Sequence, residues 1–435
     1  MSERKKALVF FGALAILFIL TGVIQSWSVS IEILKIGLLS AIMALGVNIQ
    51  WGYAGLFNTG VLGFLALGGL GVVLTSVQPT PGGWAAGGWG AVFGLFVGAL
   101  TIGLATFLWN RMKKGTARTL AMIVVLVVGF FLYRGIFDPA VTAIEANDAA
   151  KFGNIGGLGL PSLLGWITGG LFAAAAAFLI GKIALGLRSD YLAIATLGIA
   201  EIIIAVLKNE DWLARGVKNI VGIPRPWPVP QEVDLQNDPG FVGMAQSWGV
   251  GAVDASTIVV KLAYCVMFAV VLGLLIWLCE RALNSPWGRM MRAIRDNEVA
   301  AEAMGKDVKR RHLQVFVLGS AVLGLAGAIM VSLNGQLAPS EYIPLRYTFL
   351  IWVMVIFGGS GNNWGSVLGA LVIWWLWVMV EPMGLWALQV LTAAMPDGGL
   401  KKHLLDSAAH MRFLTMGVIL LVVLRFSPRG LLPGK

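Results

Sequence analysis

Apolar runs about twenty residues long recur along the whole chain, and they decide what it can fold into. A helix needs about 20 mostly apolar residues to cross the hydrocarbon core of a bilayer. Nine stretches meet that need plainly, near 8–25, 33–50, 88–109, 119–136, 164–185, 191–208, 258–280, 313–333 and 411–426. Three glycine-rich stretches, 53–77, 347–359 and 366–381, raise the expectation to ten to twelve crossings, with 347–359 short enough to be re-entrant. The expected fold is all-α: a polytopic membrane helix bundle with Gly-broken or re-entrant segments, read as one transmembrane domain over 1–435. Only 12% of residues are charged, about half the ~25% of soluble domains. That density excludes a soluble globule, a disordered chain and a nucleic-acid-binding module. The start, Met1 to Lys6 and then an apolar run, reads as an uncleaved first helix because no small-residue cleavage site follows.

The net charge of +10 is informative only by segment, because Lys and Arg accumulate in cytoplasmic loops. Twelve crossings would put 1–7, 110–118, 182–190, 280–312, 360–365 and 425–435 on the inside. Those segments hold 20 basic and 7 acidic residues, against 12 and 15 elsewhere. The expected place is a bacterial cytoplasmic (inner) membrane, crossed many times, with both termini in the cytoplasm. Loops 137–163, 209–257 and 382–410 then lie outside, where they either dock a soluble partner or only cap the bundle. Residues 223–230, Ile-Pro-Arg-Pro-Trp-Pro-Val-Pro, are too proline-dense for a helix. The 17 Trp read mostly as interfacial anchors.

Little in the chain suggests covalent chemistry. Cys265 and Cys279 stand fourteen residues apart on one expected helix, roughly 21 Å at 1.5 Å per residue, too far for a disulfide. Two Cys and three His give no expectation of a metal site. No Gly-Lys pair is followed by Ser or Thr, so there is no phosphate-binding P-loop. No catalytic residue and no cofactor are assigned to this chain.

The inside loop 284–311 carries the clearest pattern. Asp296 or Asn297 can cap a short helix with Glu298 in its first turn. Ala300, Ala301 and Ala303 favour helix, and Gly305 can end it in a left-handed turn. Such a small-sided helix fits a groove on another protein; alternatively the loop binds lipid headgroups. The string Ser-Pro-Trp-Gly-Arg, then Arg292, Arg295, Asp296, Glu298, Ala300, Ala301, Glu302 and Gly305, closely resembles the coupling loop of the branched-chain amino acid permease family of ABC importers. Val299 stands where the general importer pattern has Glu. Gly46–Leu56, Leu187–Gly198 with Glu201-Ile202-Ile203, Gly222-Ile223-Pro224, Phe357–Gly365 and Pro428–Leu432 are similar to further segments of that family. Three departures stand out. Residues 88–136 look like an extra helix pair, Asn58-Thr59-Gly60 replaces a His often found there, and segment 225–257 looks extended.

The resemblance implies a permease subunit for branched-chain amino acids or related small polar solutes. Its partners would be two cytoplasmic ATPase subunits that bind the ATP and dock at 284–311, a second homologous permease subunit or a copy of this chain, and a periplasmic solute-binding protein. A urea or short-amide permease has similar motifs. A secondary transporter would need carboxylates within the spans, and only Glu201 is clearly placed there. An intramembrane enzyme would need a reactive cluster, and none appears.

Glu201 lies about ten residues into an apolar span, where a charge costs at least about 2.5–3.5 kcal/mol. It should face the bundle interior, a partner or a water-filled path; otherwise it is a buried structural carboxylate. Leu197 and Gly198 share its face, and Thr196 does not. Asn48, Tyr53, Asn58 and Thr59 surround a glycine-rich break, and with Tyr191, Thr196 and Glu201 they are candidates for a translocation path. Gly52 and Gly55 in one half, and Gly358, Gly359, Gly361 and Gly365 in the other, mark either two broken helices of an internal repeat or close helix packing.

Overall fold

The computed structural model describes residues 3–147, 153–393, 395–396 and 398–434. Among the described residues, ten helices are long and apolar enough to cross a membrane. They are α1 (Glu3–Ile24), α2 (Trp27–Ala54), α4 (Pro81–Arg111), α5 (Thr116–Ala146), α6 (Ser162–Ala184), α7 (Ser189–Asn209), α8 (Ala252–Leu283), α11 (Val308–Asn334), α13 (Asn363–Leu391) and α14 (Gly399–Phe426). Two shorter apolar helices, α3 (Val61–Ser76) and α12 (Leu345–Gly358), complete the bundle. Between α8 and α11 lie two short helices, α9 (Pro286–Asp296) and α10 (Glu298–Ala303).

Packing is concentrated on α2 and α11, which lie against each other and are the most buried of the ten long helices. Glycine permits the close approach. A β-carbon at Gly46 would lie 2.9 Å from Leu323, and one at Gly68 1.9 Å from the Gly324 carbonyl oxygen. With little hydrophobic force between helices inside a bilayer, such small-residue contacts supply the attraction. In contrast, α1, α4 and α5 leave most of their apolar surface exposed, as lipid-facing helices do.

The expected single span at 53–77 is two pieces. Helix α2 runs on to Ala54, Gly55 turns at φ +68°, and α3 begins only at Val61. At 16 and 14 residues, α3 and α12 rise about 24 and 21 Å, short of a ~30 Å core. Their first turns meet, where the Leu62 N–H donates to Thr348 Oγ1 at 3.4 Å. Both therefore behave as partial helices.

The loops at the end opposite α9 and α10 are more structured than their composition implies. Ile220–Val221 pairs antiparallel with Gln336–Leu337. Short helices form at Glu232–Asn237 and Pro239–Ser247, and the proline run before them stays non-helical. Arg225 and Glu232 pair at 2.8 Å. Residues 399–410 form the first turns of α14. The reading of Trp as interfacial needs correction at Trp352, which is buried, packs 4.7 Å from Phe57 and donates to the Asn58 carbonyl. An indole N–H held inside the bundle needs such a partner.

Candidate functional site

The two glycine breaks meet at the basic end of the bundle. Helix α2 has two residues left when Gly52 passes Gly361 so closely that a β-carbon there would lie 2.5 Å from the Gly361 nitrogen. Gly359 and Gly361 both have positive φ, 119° and 82°, a region that only glycine enters readily. Such breaks free backbone groups that must be satisfied inside the protein, and polar side chains do this. The Gly361 N–H donates to Asn48 Oδ1 at 2.8 Å. Asn48 Nδ2 and the Tyr53 hydroxyl donate to Asn363 Oδ1, and Asn363 Nδ2 donates to Glu280 at 2.9 Å. Asn362 caps α13, accepting from Trp364 and Gly365. A β-carbon at Gly358 would lie 2.0 Å from the Gly365 carbonyl oxygen. The chain after α14 closes the junction, with Leu431 and Leu432 donating to the carbonyls of Phe357 and Gly358.

The other side of the first break is braced separately. Asn58 is fully buried, donates to Gln50 at 2.8 Å and accepts the Gly60 N–H. Gln50 in turn donates to the Phe316 carbonyl and to Ser320, both at 3.0 Å. Thr59 joins the break to α7: its N–H reaches Thr196 Oγ1 at 3.2 Å and its hydroxyl the Ala193 carbonyl at 2.6 Å.

The loop 284–311 docks on this junction. Helix α9 lies beneath α2, and Arg295 Nη1 donates to the Gly52 carbonyl at 2.9 Å while Nε and Nη2 donate to Asp296. Arg292 reaches the Leu283 carbonyl. A polar cavity of about 230 Å³ opens among Tyr53, Glu280, Arg292, Arg295 and Asn362. Helix α10 rests on α9 and the start of α11 through Ala301 and presents its other faces to solvent. Asn297, not Asp296, caps it, accepting from Ala300 N, and Gly305 ends it at φ +75°. Ala301 is its one buried residue, whereas Glu298, Ala300 and Glu302 are exposed, and Val299 and Met304 are bare at 76% and 80%. The charged tip thus carries two largely exposed apolar side chains.

The path candidates do not form one set. Asn48, Tyr53, Asn58, Thr59 and Thr196 belong to the braced breaks. Glu201 is exposed on α7 with Tyr191, Leu197 and Gly198, while Thr196 is buried on another face. Of the two alternatives for Glu201, a carboxylate buried within this chain's own interior does not fit its exposure on α7. Gln50, Glu280, Asn362 and Asn363 were not expected as site residues. Each is a polar group at the edge of an apolar run, and Glu280 is the one carboxylate in 258–280. Among the described residues no cluster of His, Cys, Asp or Glu could hold a metal ion.

A family model described as the branched-chain amino acid transport system / permease component matches residues 30–154 and 149–424. The chain belongs to this family. Among curated relatives, the high-affinity branched-chain amino acid transport system permease protein LivM of Escherichia coli is 30% identical over 277 residues, covering 63% of this chain and 62% of that protein. The aligned stretch thus spans less than two thirds of that relative's length. A probable branched-chain amino acid transport permease protein LivM of Methanocaldococcus jannaschii is 26% identical over 279 residues, 63% of this chain and 67% of the relative. The fructose import permease protein FrcC of Rhizobium meliloti is 30% identical over 109 residues, 24% of this chain and 30% of the relative. No solved structure matches the chain. A permease of this family, with ten apolar helices, is a multi-pass membrane protein.

Proposed function

We propose that this chain is the membrane-spanning permease subunit of an ABC importer for branched-chain amino acids. The observation that carries the reading is α10, a short helix on the surface of the basic end with Val299 and Met304 exposed and its base fastened to the transmembrane breaks through α9. Two cytoplasmic ATPase subunits, which bind the ATP, dock one on this loop and one on the matching loop of a second permease subunit, homologous or identical. A periplasmic solute-binding protein sits on the outer loops. The basic end with both termini faces the cytoplasm of a bacterial inner membrane, as its excess of Lys and Arg favours. This chain itself carries no cofactor and forms no covalent intermediate.

The mechanism follows from the contacts. Closure of the ATPases displaces α10, and α9 moves with it through the Asn297 cap. Arg295 then pulls on the Gly52 carbonyl, and the break at 52–60, with few helical bonds to lose, absorbs the displacement. The Gly361 junction moves with it through Asn48. Helix α7, tied to the break through Thr59, turns the face bearing Tyr191 and Glu201, which lines a water-filled path against the second permease subunit.

Co-purification tests the reading. The exposed pair Val299→Asp and Met304→Asp should leave expression and thermal stability unchanged and abolish recovery of the ATPase subunit. Full recovery with normal leucine uptake would refute it. Binding measured on the accompanying solute-binding protein, leucine, isoleucine and valine against urea and short amides, identifies the solute.

A further inference from the structure

A second cavity lies on the lipid-facing side and borders the first glycine break at Ile49 and Tyr53. Helices α6 and α8 pack on α11 and α2 and leave a groove between them of about 400 Å³, walled by apolar residues such as Ile167, Leu171, Leu278 and Ala282. At Trp287 and Leu318 the groove continues into a recess of about 570 Å³ at the basic end, where Arg310, Arg311 and Gln314 join the lining. Lys182 does not line this recess but stands beside it, its Nζ 4.4 Å from the centre of the Phe178 ring that forms one wall.

The chemistry of the two cavities is that of one amphiphile. Along α11 the lining runs from Gln314 to Leu325, eleven residues or about 16 Å, which is half of a ~30 Å hydrocarbon core and so the depth of one leaflet. The charge stands at one end only. Among the described residues no carboxylate lines either cavity, and Lys182, Arg310 and Arg311 form no ion pair. Gln314 accepts from both Trp287 Nε1 at 3.2 Å and Arg311 Nη1 at 2.9 Å, which fixes the indole and one guanidinium at the rim. Basic recesses between helices at a membrane surface bind anionic headgroups. The geometry points to a bound anionic phospholipid, its phosphate among Lys182, Arg310 and Arg311 and one acyl chain in the groove between α6 and α8. A helix from a partner chain would fill the apolar groove and leave the three cations uncompensated.

Native mass spectrometry of the full purified chain, exchanged into phosphatidylglycerol or phosphatidylcholine with identical acyl chains, tests this. The wild type should retain one phosphatidylglycerol in preference to phosphatidylcholine. Lys182→Gln with Arg310→Gln leaves the Arg311–Gln314 contact in place and should weaken retention of phosphatidylglycerol roughly fivefold per charge removed, with phosphatidylcholine unaffected. Ala282→Trp, which fills the groove, should reduce retention of both. Equal retention of the two lipids by the wild type, or undiminished retention by Ala282→Trp, would overturn the assignment. So would a disulfide in membranes from Leu318→Cys to another protein subunit, which would make the groove a subunit seam.

Discussion

Arg295 is the residue on which the coupling reading can be separated from simple docking. Its bond to the Gly52 carbonyl is charge-assisted, a class worth about 1.5–3 kcal/mol, and half-burial limits competition from water. Arg295→Gln should keep the ATPase subunit bound, since α10 is untouched, yet lower transport per ATP hydrolysed by roughly tenfold. Proteoliposomes measuring leucine uptake and phosphate release together give that ratio, and an unchanged ratio removes Arg295 from the linkage. Glu201 offers the complementary case. It is exposed on α7, so Glu201→Gln should not lower the thermal stability of the chain, whereas a buried, hydrogen-bonded carboxylate would lose about 1–3 kcal/mol. Helical spacing separated Glu201 from Thr196 in the sequence. What the sequence lacked was which face of α7 the rest of the bundle covers, because every residue around Glu201 is apolar and periodicity in a membrane does not mark the inside.

At the scale of elements, the glycines divide into two kinds that a sequence cannot tell apart. Gly52 sits where a β-carbon would press on the Gly361 backbone, so Gly52→Ala must push two chain breaks apart. Gly305 meets nothing within 4 Å, and its φ of +75° is the sole demand. Gly305→Ala should cost about 1–2 kcal/mol of local strain, confined to the end of α10, and leave the unfolding temperature of the bundle near its wild-type value. Gly52→Ala should lower it by many degrees. Thermal unfolding in detergent, followed by exposure of Cys279 on α8 beside Tyr53 to a thiol reagent, reads both; equal effects would contradict the packing at the junction. The loop 284–311 was legible because capping and small helix formers act locally: Asn297, the Ala residues and Gly305 hold the places their spacing gave them. The breaks were legible as glycine clusters, but not their meeting. That meeting depends on Asn363, Glu280 and the tail at Leu431–Leu432, which lie far from Gly52 in sequence.

For the whole molecule, the unequal distribution of buried surface makes a prediction about which parts the fold needs. Helices α4 and α5 pack mainly on each other, with Gly94 against Phe137 and Gly129 against Thr101. Their small core of Ala91, Phe137 and Ile144 with Ile155 and Trp212 is separate from the large core built on α2, α3, α11, α12 and α13. The charge pattern is also indifferent to them: they form one out-and-back excursion, so removing both keeps every later segment on its own side of the membrane. A chain in which 84–146 is replaced by a short Gly/Ser linker should therefore insert with the same topology, since the charge bias of the remaining loops is retained. It should lose the packing around Trp212 and the nearby loop order, yet unfold within a few degrees of the wild type. Removing α5 alone should do much worse, because an odd number of crossings sets the basic loop 280–312 against its charge bias. Protease accessibility of 284–311 from either side of sealed vesicles distinguishes these outcomes. A double deletion that fails to insert would mean that the helix pair, for all its exposed surface, is part of the bundle's assembly.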